Sequence, residues 1–367
     1  MRAAAFLVVA GATLGVIEGA IRLMDAVLDL PLPALARTIN ARMALNPYQM
    51  PSPTHVRHWL LQAGWHAQSV DVAKMKRADG RIEGERAIDA ARRSGYDLPL
   101  RINDAGFKGP DLDDSHSRPR LLVIGDSVTF GIAGWDFPRA IASSAPHVEV
   151  INGGVEGYSV RNALLRLPDY RAVKPQLCLI MIGWNNLYAE SAPGHLRTLG
   201  EARRIVRMVG NGLGNGGIDA DRALRQRQKH FDPDDPRVGQ FRAARPAFVD
   251  DVEKLGESLE SAGCKIAIAT LAGLYVEGVA PSAKALEIGH LPAFTDNPAM
   301  LAASTTAAND GLRDLAKRRG WHIADVAAWA DRQLHPRDRW FSDGVHFWAE
   351  GLTELGQFLA EDLSGTF

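Results

Sequence analysis

The sequence predicts an α/β protein, a three-layer sandwich in which helices cover both faces of a parallel five-stranded sheet. Segments with helical spacing alternate with five short runs rich in apolar residues, at positions 121–124, 148–152, 175–182, 265–270 and 322–326. Runs of this kind are typical of strands buried on both faces of a parallel sheet. Right-handed crossovers would bring the carboxyl ends of all five strands to one edge of the sheet, where open α/β sheets bind ligands.

The overall composition is that of an ordinary globular protein. The chain has 367 residues, of which 46% are hydrophobic and 23% are charged, and its net charge is −1. A nearly neutral chain has no electrostatic footprint for nucleic acid, so we expect no nucleic-acid partner. Cys178 and Cys264 each begin an apolar run, and we predict buried thiols rather than a catalytic or metal pair. The sequence has no CxxC or HExxH pattern, so we predict neither a metal site nor a cofactor.

The sequence of residues 1–22 predicts a segment that inserts into the membrane. Arg2 precedes an apolar run at residues 3–17, and the apolar character continues to Ile21 with Glu18 as its one charge. This nearly reaches the length of a tilted transmembrane helix, so we favour an uncleaved anchor in the inner (cytoplasmic) membrane. The alternatives are a cleaved signal peptide, which would give a secreted or periplasmic protein, and an amphipathic helix packed on the domain. The charge bias across the segment favours a protein body outside the cytoplasm.

The rest of the chain divides into two predicted regions. Residues 23–118 are rich in Arg, Asp, Gly and Pro and predict an irregular covering region, and residues 119–365 predict the α/β domain. A long segment at about 187–246 interrupts this domain, and a loop-rich insertion of this length is usually functional or disordered. A second irregular stretch follows the fourth strand and extends to about residue 298.

Polar residues with complementary chemistry follow the predicted strands. The first strand leads to Ser127, the second to a turn through Gly157 and the third to Asn185, while Asp343 and His346 precede the last helix. A serine hydroxyl is a weak nucleophile unless a base takes its proton, and His346 can serve as that base while Asp343 orients its ring. The backbone N–H groups of Ser127 and Gly157 and the side-chain amide of Asn185 can surround one oxyanion.

These residues occur in four blocks whose order resembles that of the SGNH (GDSL) hydrolases: Gly125-Asp-Ser127, Gly157, Gly183-x-Asn185 and Asp343-x-x-His346. The resemblance extends over roughly residues 100–363, and residues 103–110 look like the approach to the serine block in membrane-anchored bacterial members. It implies a flavodoxin-like fold and a serine ester hydrolase with the triad Ser127, Asp343 and His346. It likewise implies an oxyanion hole formed by Ser127, Gly157 and Asn185.

One residue departs from the family pattern. Asn186 stands where the third block often has Asp, and because Asn185 is kept we expect altered local support rather than lost activity. Tyr158 and Trp184 adjoin site residues, and we predict that they pack in the core. Most of the 11 histidines must be bystanders, and His322 is predicted as a strand-edge residue and His335 as a surface one.

The sequence therefore predicts a serine ester hydrolase acting on a small-molecule or glycan acyl ester, with the membrane as a partner through the first segment. One alternative is an O-acyltransferase that uses the same triad to pass the acyl group to a sugar hydroxyl. Another is a catalytically silent carbohydrate-binding module, against which the intact Ser127, Asp343 and His346 argue. Exclusion of water from the acyl-enzyme decides between hydrolysis and transfer.

Overall fold

The computed structural model describes residues 13, 16, 19, 20, 23, 49–51, 59–64, 66–67, 100–132, 135–189, 229–292 and 294–366. The chain divides into two compact units, Met1–Leu60 with Ala189–Leu224, and Leu61–Tyr188 with Arg225–Phe367. Two small two-stranded sheets precede the main sheet. In one, β1 (Gln49–Pro51) pairs with β2 (Trp59–Leu61), and in the other β3 (His66–Ala67) pairs antiparallel with β4 (Leu100–Arg101).

The second unit is built on a parallel sheet of five strands, as predicted. The strands are β5 (Arg120–Gly125), β6 (Glu149–Asn152), β7 (Leu177–Met181), β8 (Lys265–Ala269) and β9 (His322–Ala324). Their order in the sheet is β6-β5-β7-β8-β9, and every neighbouring pair is parallel. All residues of β5 and β7 are buried, which agrees with the unbroken apolar sequences 121–124 and 177–181, and the charge of Arg120 at the start of β5 is paired with Glu149 at 2.7 Å. This is the flavodoxin-like order, whose topological switch point lies between the first and third strands, here β5 and β7.

Helices follow the strands and cover both faces of the sheet. In chain order they are α1 (Ser127–Phe130), α2 (Phe137–Ser144), α3 (Val160–Leu165), α4 (Leu167–Ala172), α5 (Trp184–Ala189), α6 (Pro236–Ala243), α7 (Phe248–Glu260), α8 (Ala283–Ile288), α9 (Pro298–Arg319), α10 (Val326–Gln333), α11 (Arg337–Trp340) and α12 (Ala349–Asp362). Helix α2 packs against α12, and α7 packs against α3, α4 and α9. Because the chain reverses direction across the sheet after β6, right-handed crossovers place these two groups on opposite faces. Helix α8 corrects the prediction that the whole stretch up to about residue 298 is irregular.

Helix α9 shows how the sequence sets the bounds of an element. Asn297 accepts a hydrogen bond from the Ala299 N–H, and Pro298 stands at the first helical position, where its missing N–H costs nothing. The helix ends at Gly320, whose φ of 67° is the left-handed conformation that glycine adopts without strain. The three basic residues before it, 317–319, complement the negative end of the helix dipole.

The two cysteines correct a prediction. Both are buried, as expected, but they are not free thiols, because Cys178 in β7 and Cys264 just before β8 form a disulfide. The bond joins neighbouring strands across a sequence separation of 86 residues. Closing a loop of this length reduces the entropy of the unfolded chain and typically stabilises a fold by about 2–4 kcal/mol. Both cysteines lie near the amino-terminal ends of their strands, at the edge of the sheet opposite Ser127.

Several sequence predictions concern residues outside the described part of the chain. The anchor predicted at residues 1–22 is described at four helical positions alone, 13, 16, 19 and 20. Among the described helices, none combines the length and the apolar character needed to cross a membrane. Most of the predicted covering region 23–118, and residues 190–228 of the predicted insertion, also lie outside the described residues. The domain bounds therefore stay predictions.

Candidate active site

The turn after β5 presents Ser127 at the carboxyl end of a central strand. Asp126 is fully buried and caps α1, with its Oδ1 accepting a hydrogen bond from the Val128 N–H at 3.0 Å. Gly125 admits no side chain, because a Cβ there would lie 1.9 Å from Thr129 Oγ1 and 2.7 Å from the main-chain oxygen of Met181. The tight turn places Ser127 at the first position of a one-turn helix.

Buried polar side chains stabilise this short helix from its carboxyl end. The last carbonyl groups of a helix have no helical partners, and in a helix of four residues these are most of its carbonyl groups. The Asn152 side chain donates to the Thr129 carbonyl at 3.0 Å, and Lys108 Nζ donates to the Phe130 carbonyl at 2.5 Å. Lys108 also forms a buried ion pair with Asp136 at 2.9 Å. Burial lowers the pKa of Lys108, and the nearby Asp136 carboxylate opposes this shift.

A continuous hydrogen-bond chain joins Ser127 to two residues that are distant in sequence. Ser127 Oγ lies 2.7 Å from His346 Nε2, and His346 Nδ1 lies 2.7 Å from Asp343 Oδ2. The other carboxylate oxygen, Asp343 Oδ1, accepts hydrogen bonds from the backbone N–H groups of Val345 and His346, each at 2.8 Å. The Asp-x-x-His spacing has this physical reason: one oxygen fixes the turn while the other orients the imidazole.

Aromatic packing anchors the turn that carries Asp343 and His346. Phe341 and Phe347 form an antiparallel bridge on either side of it, and their buried rings lie 4.3 Å apart between centroids. Ser342 N–H also donates to the His346 carbonyl at 2.8 Å. The two ends of the turn are therefore held together by buried apolar surface and by backbone hydrogen bonds.

The two remaining predicted residues lie on the loop after β6 and at the start of α5. Gly157 is exposed and has a φ of 77°, in the left-handed region. Asn185 Nδ2 donates to the Tyr158 carbonyl at 3.0 Å, which places the amide beside the residue that follows Gly157. An amide nitrogen carries two hydrogens, and this bond uses one of them.

The asparagine that departs from the family pattern has a different partner. Asn186 Oδ1 accepts a hydrogen bond at 3.1 Å from the N–H of Val160, at the start of α3. Its amide group therefore ties α5 to the first turn of α3. Tyr158 and Trp184 are buried in the core. His322 pairs with Asp362 at 2.6 Å, away from the triad.

The structure adds a residue that the sequence analysis missed. His290 Nε2 lies 3.4 Å from Asp343 Oδ2, and His290 Nδ1 lies 2.8 Å from the Tyr188 hydroxyl. His290 follows α8, in the stretch predicted to be irregular, and no motif marks it. Its approach to Asp343 depends on how two distant loops pack, which local sequence patterns do not encode.

Among the residues that the structure describes, one group has spacing compatible with a metal ion: His290, Asp343 and His346, whose candidate ligand atoms lie within 4.8 Å of one another. The same side chains form the hydrogen bonds described above. A cation here would compete with the hydrogen bond between His346 and Asp343. We therefore assign these residues to hydrogen bonding.

The buried charges shift one another's pKa values. Burial alone would raise the pKa of Asp343, but His346 and His290 outweigh it and hold this pKa well below its usual range. Burial alone would lower the pKa of His346, but Asp343, with smaller contributions from Asp126 and Glu156, raises it to about 9. Burial raises the pKa of Asp126 to about 6. The imidazole is thus a stronger base than a free histidine.

The sequence model of the GDSL-like lipase/acylhydrolase family matches residues 123–352, a span that includes every predicted site residue. The chain belongs to this family. It is therefore an enzyme that hydrolyses ester bonds, as the four sequence blocks predict.

Solved structures similar to this acylhydrolase include three bacterial enzymes. A lipase/acylhydrolase from Enterococcus faecalis is 16% identical, with 68% of this chain and 96% of that chain covered and a TM-score of 0.39. An acetylxylan esterase from Geobacillus stearothermophilus is 15% identical, with 67% of this chain and 94% of that chain covered and a TM-score of 0.43. A GDSL-like lipase from Bacteroides thetaiotaomicron is 12% identical, with 68% of this chain and 89% of that chain covered and a TM-score of 0.38. A search of curated proteins finds none that matches.

The raised pKa of His346 predicts an alkaline pH profile. If His346 is the base for Ser127, only its neutral imidazole can accept the proton, so kcat/KM should rise with pH, with a midpoint nearer 9 than the ordinary histidine value of about 6.5. Asp343→Asn removes the charge that stabilises the imidazolium and should move the midpoint downward while lowering the maximal rate. Initial rates of aryl acetate hydrolysis, corrected for the spontaneous reaction, measure both profiles. A wild-type midpoint at or below about 6.5 would contradict the assignment.

Proposed function

We propose that this acylhydrolase is a serine esterase in which Ser127, His346 and Asp343 form the catalytic triad. The observation that carries the proposal is the hydrogen-bond chain from Ser127 Oγ through His346 to Asp343, with both contacts at 2.7 Å. His346 takes the Ser127 proton while Oγ attacks the ester carbonyl carbon, and the proton then passes to the leaving alcohol. Water hydrolyses the acyl-enzyme with His346 again as base, which releases the carboxylic acid.

We further propose that the backbone N–H groups of Ser127 and Gly157 and the Asn185 amide form the oxyanion hole. Two observations support it: Ser127 and Asn185 follow the adjacent strands β5 and β7, and Asn185 donates to the main chain next to Gly157. The second amide hydrogen of Asn185 is the donor proposed for the oxyanion. Glycine suits the middle position because its backbone can approach the reacting atom closely.

We also propose that the enzyme acts outside the cytoplasm and that its first 22 residues anchor it in the membrane. The Cys178–Cys264 disulfide supports it, because structural disulfides form and persist in oxidising compartments and are rare in the cytosol. In that compartment the acyl esters within reach include those on surface glycans, which we propose as the substrate class.

Ser127→Ala should abolish ester hydrolysis without changing the fold, because the variant lacks the nucleophile and keeps the small side-chain volume. Ser143→Ala is the matched control, since Ser143 is exposed on α2 and donates only to the Arg139 carbonyl. Initial rates on aryl esters of increasing acyl length, with and without a sugar acceptor, measure turnover and separate hydrolysis from transfer. Near-wild-type turnover by Ser127→Ala would remove the triad proposal.

Asn185→Ala should lower kcat by roughly a hundredfold while KM changes little, since its amide acts on charge that develops only in the transition state. Asn186→Ala should leave kcat nearly unchanged and lower the free energy of unfolding by about 1 kcal/mol, through loss of its hydrogen bond to Val160. Steady-state kinetics and urea unfolding of both variants make the comparison. A fully active but unstable Asn185→Ala enzyme would show that Asn185 only supports the loop.

The proposed location predicts that the full-length protein sediments with membranes and resists extraction by salt, since hydrophobic burial rather than charge would hold it there. In cell extracts alkylated before reduction, Cys178 and Cys264 should react only after a reductant is added. Membrane fractionation and mass spectrometry of the alkylated protein test both points. A protein recovered in the cytosolic fraction with both thiols alkylated would refute the location.

A further inference from the structure

The carboxylate of Asp343 contacts two imidazoles. His346 Nδ1 lies 2.7 Å from Asp343 Oδ2 on one side, and His290 Nε2 lies 3.4 Å from the same oxygen on the other. The two rings are nearly perpendicular, at 74°, with their centroids 6.5 Å apart. The side chain of His290 is 17% exposed, so water screens its attraction to Asp343 less than it would screen a pair on the surface.

Tyr188 fixes the His290 ring. The Tyr188 hydroxyl lies 2.8 Å from His290 Nδ1 and 2.9 Å from the His290 carbonyl oxygen, so it grips both the side chain and the backbone of the histidine. The two rings meet edge to face, at 85° with 5.0 Å between centroids. Tyr188 lies on α5, one turn after Asn185, so the same helix carries the proposed oxyanion donor and the support of His290.

These contacts restrict where the His290 protons lie. If the Tyr188 hydroxyl donates to Nδ1, the neutral ring carries its proton on Nε2. If the hydroxyl donates to the carbonyl oxygen, Nδ1 must donate to the hydroxyl. A proton on Nδ1 alone would then leave a lone pair on Nε2 facing the Asp343 carboxylate, which is repulsive. The arrangement that avoids this repulsion directs an Nε2–H at Asp343.

The loop of Asp343 is shaped to accept this pair of residues. A Cβ at Gly344 would lie 2.8 Å from the His290 carbonyl oxygen and 2.8 Å from the Tyr188 hydroxyl. Such a distance requires something to shift, and the backbone oxygen of His290 cannot move without its ring. The glycine therefore lets the Asp343 turn pack directly on Tyr188 and His290.

We propose that His290 is a positioning residue of this esterase: its Nε2–H holds Asp343 Oδ2 in the orientation that His346 needs, and Tyr188 holds His290. This inference rests on the proposed triad and deepens it by adding two residues behind Asp343. Neither added residue contacts Ser127 Oγ in the described hydrogen-bond chain. Their loss should therefore affect the rate of the chemical step and leave substrate binding nearly unchanged.

The test compares three substitutions at one position. His290→Phe keeps a flat ring without a donor and should lower kcat about tenfold or more, with KM within about twofold of the wild-type value. His290→Gln keeps an amide donor near the place of Nε2 and should recover most of the rate, while His290→Ala should resemble the Phe variant. Tyr188→Phe should lower kcat less than His290→Phe, because the ring loses its fixed proton position but keeps Nε2.

His322→Ala is the matched control. His322 also forms a histidine–aspartate pair, with Asp362, and is also partly buried, so its loss measures the cost of such a pair away from the triad. We expect a lower melting temperature and an unchanged kcat. The inference is overturned if His290→Phe has a wild-type kcat. It is also overturned if His290→Gln and His290→Phe have the same melting temperature and the kcat of the Gln variant is no higher than that of the Phe variant.

A second measurement keeps the test independent of the ester chosen. Phenylmethylsulfonyl fluoride modifies an activated serine: the bond between Ser127 Oγ and sulfur forms, the S–F bond breaks with loss of fluoride, and His346 takes the proton. The rate of this modification, followed by mass spectrometry, should fall about tenfold in His290→Phe and stay unchanged in His322→Ala. An equal rate in His290→Phe and wild type refutes the inference, whereas an unmodified wild-type Ser127 refutes the triad itself.

Discussion

The geometry of the site depends on the carboxylate of Asp343, both of whose oxygens face N–H groups. Asp343 Oδ1 accepts two backbone N–H groups, which fix the turn, and Oδ2 faces the imidazoles of His346 and His290. Removing a carboxylate from water is costly unless such partners replace its hydration. Asp343 has such partners on both oxygens, so its negative charge is stable beside the imidazole of His346.

A second buried charge, that of Lys108, supports the helix that carries Ser127 rather than the turn that carries His346. Lys108 contacts the carboxyl end of α1 and pairs with Asp136, and both of its partners come from residues shortly after Ser127. A buried pair contributes little net stability compared with apolar residues of the same size, because the desolvation cost offsets the attraction. The pair instead fixes relative positions, since the Lys108 ammonium group joins the segment before β5 to one carbonyl of the helix that carries Ser127.

The fold and the predicted site follow from the sequence because each signal is local. Residues 121–124 of β5 and all of β7 are apolar, and the blocks of Ser127, Gly157 and Asn185 follow strands whose ends meet at one edge of the sheet. The Cys178–Cys264 bond and the His290 contact are not local. The first depends on β7 and β8 being neighbours in the sheet, and the second on the packing of a loop 53 residues before Asp343 in the chain. No periodicity or spacing reports either contact.

The absence of a side chain at Gly344 has a consequence for how the family can diverge. A side chain at position 344 would clash with the residues at positions 188 and 290, so the three positions should change together in related sequences. A relative with a larger residue at 344 must have lost the tyrosine hydroxyl at 188 and shifted the backbone at position 290. Correlated substitutions at these three positions would therefore show which members of the family have a second imidazole beside the aspartate at position 343 and which hold that aspartate by other contacts.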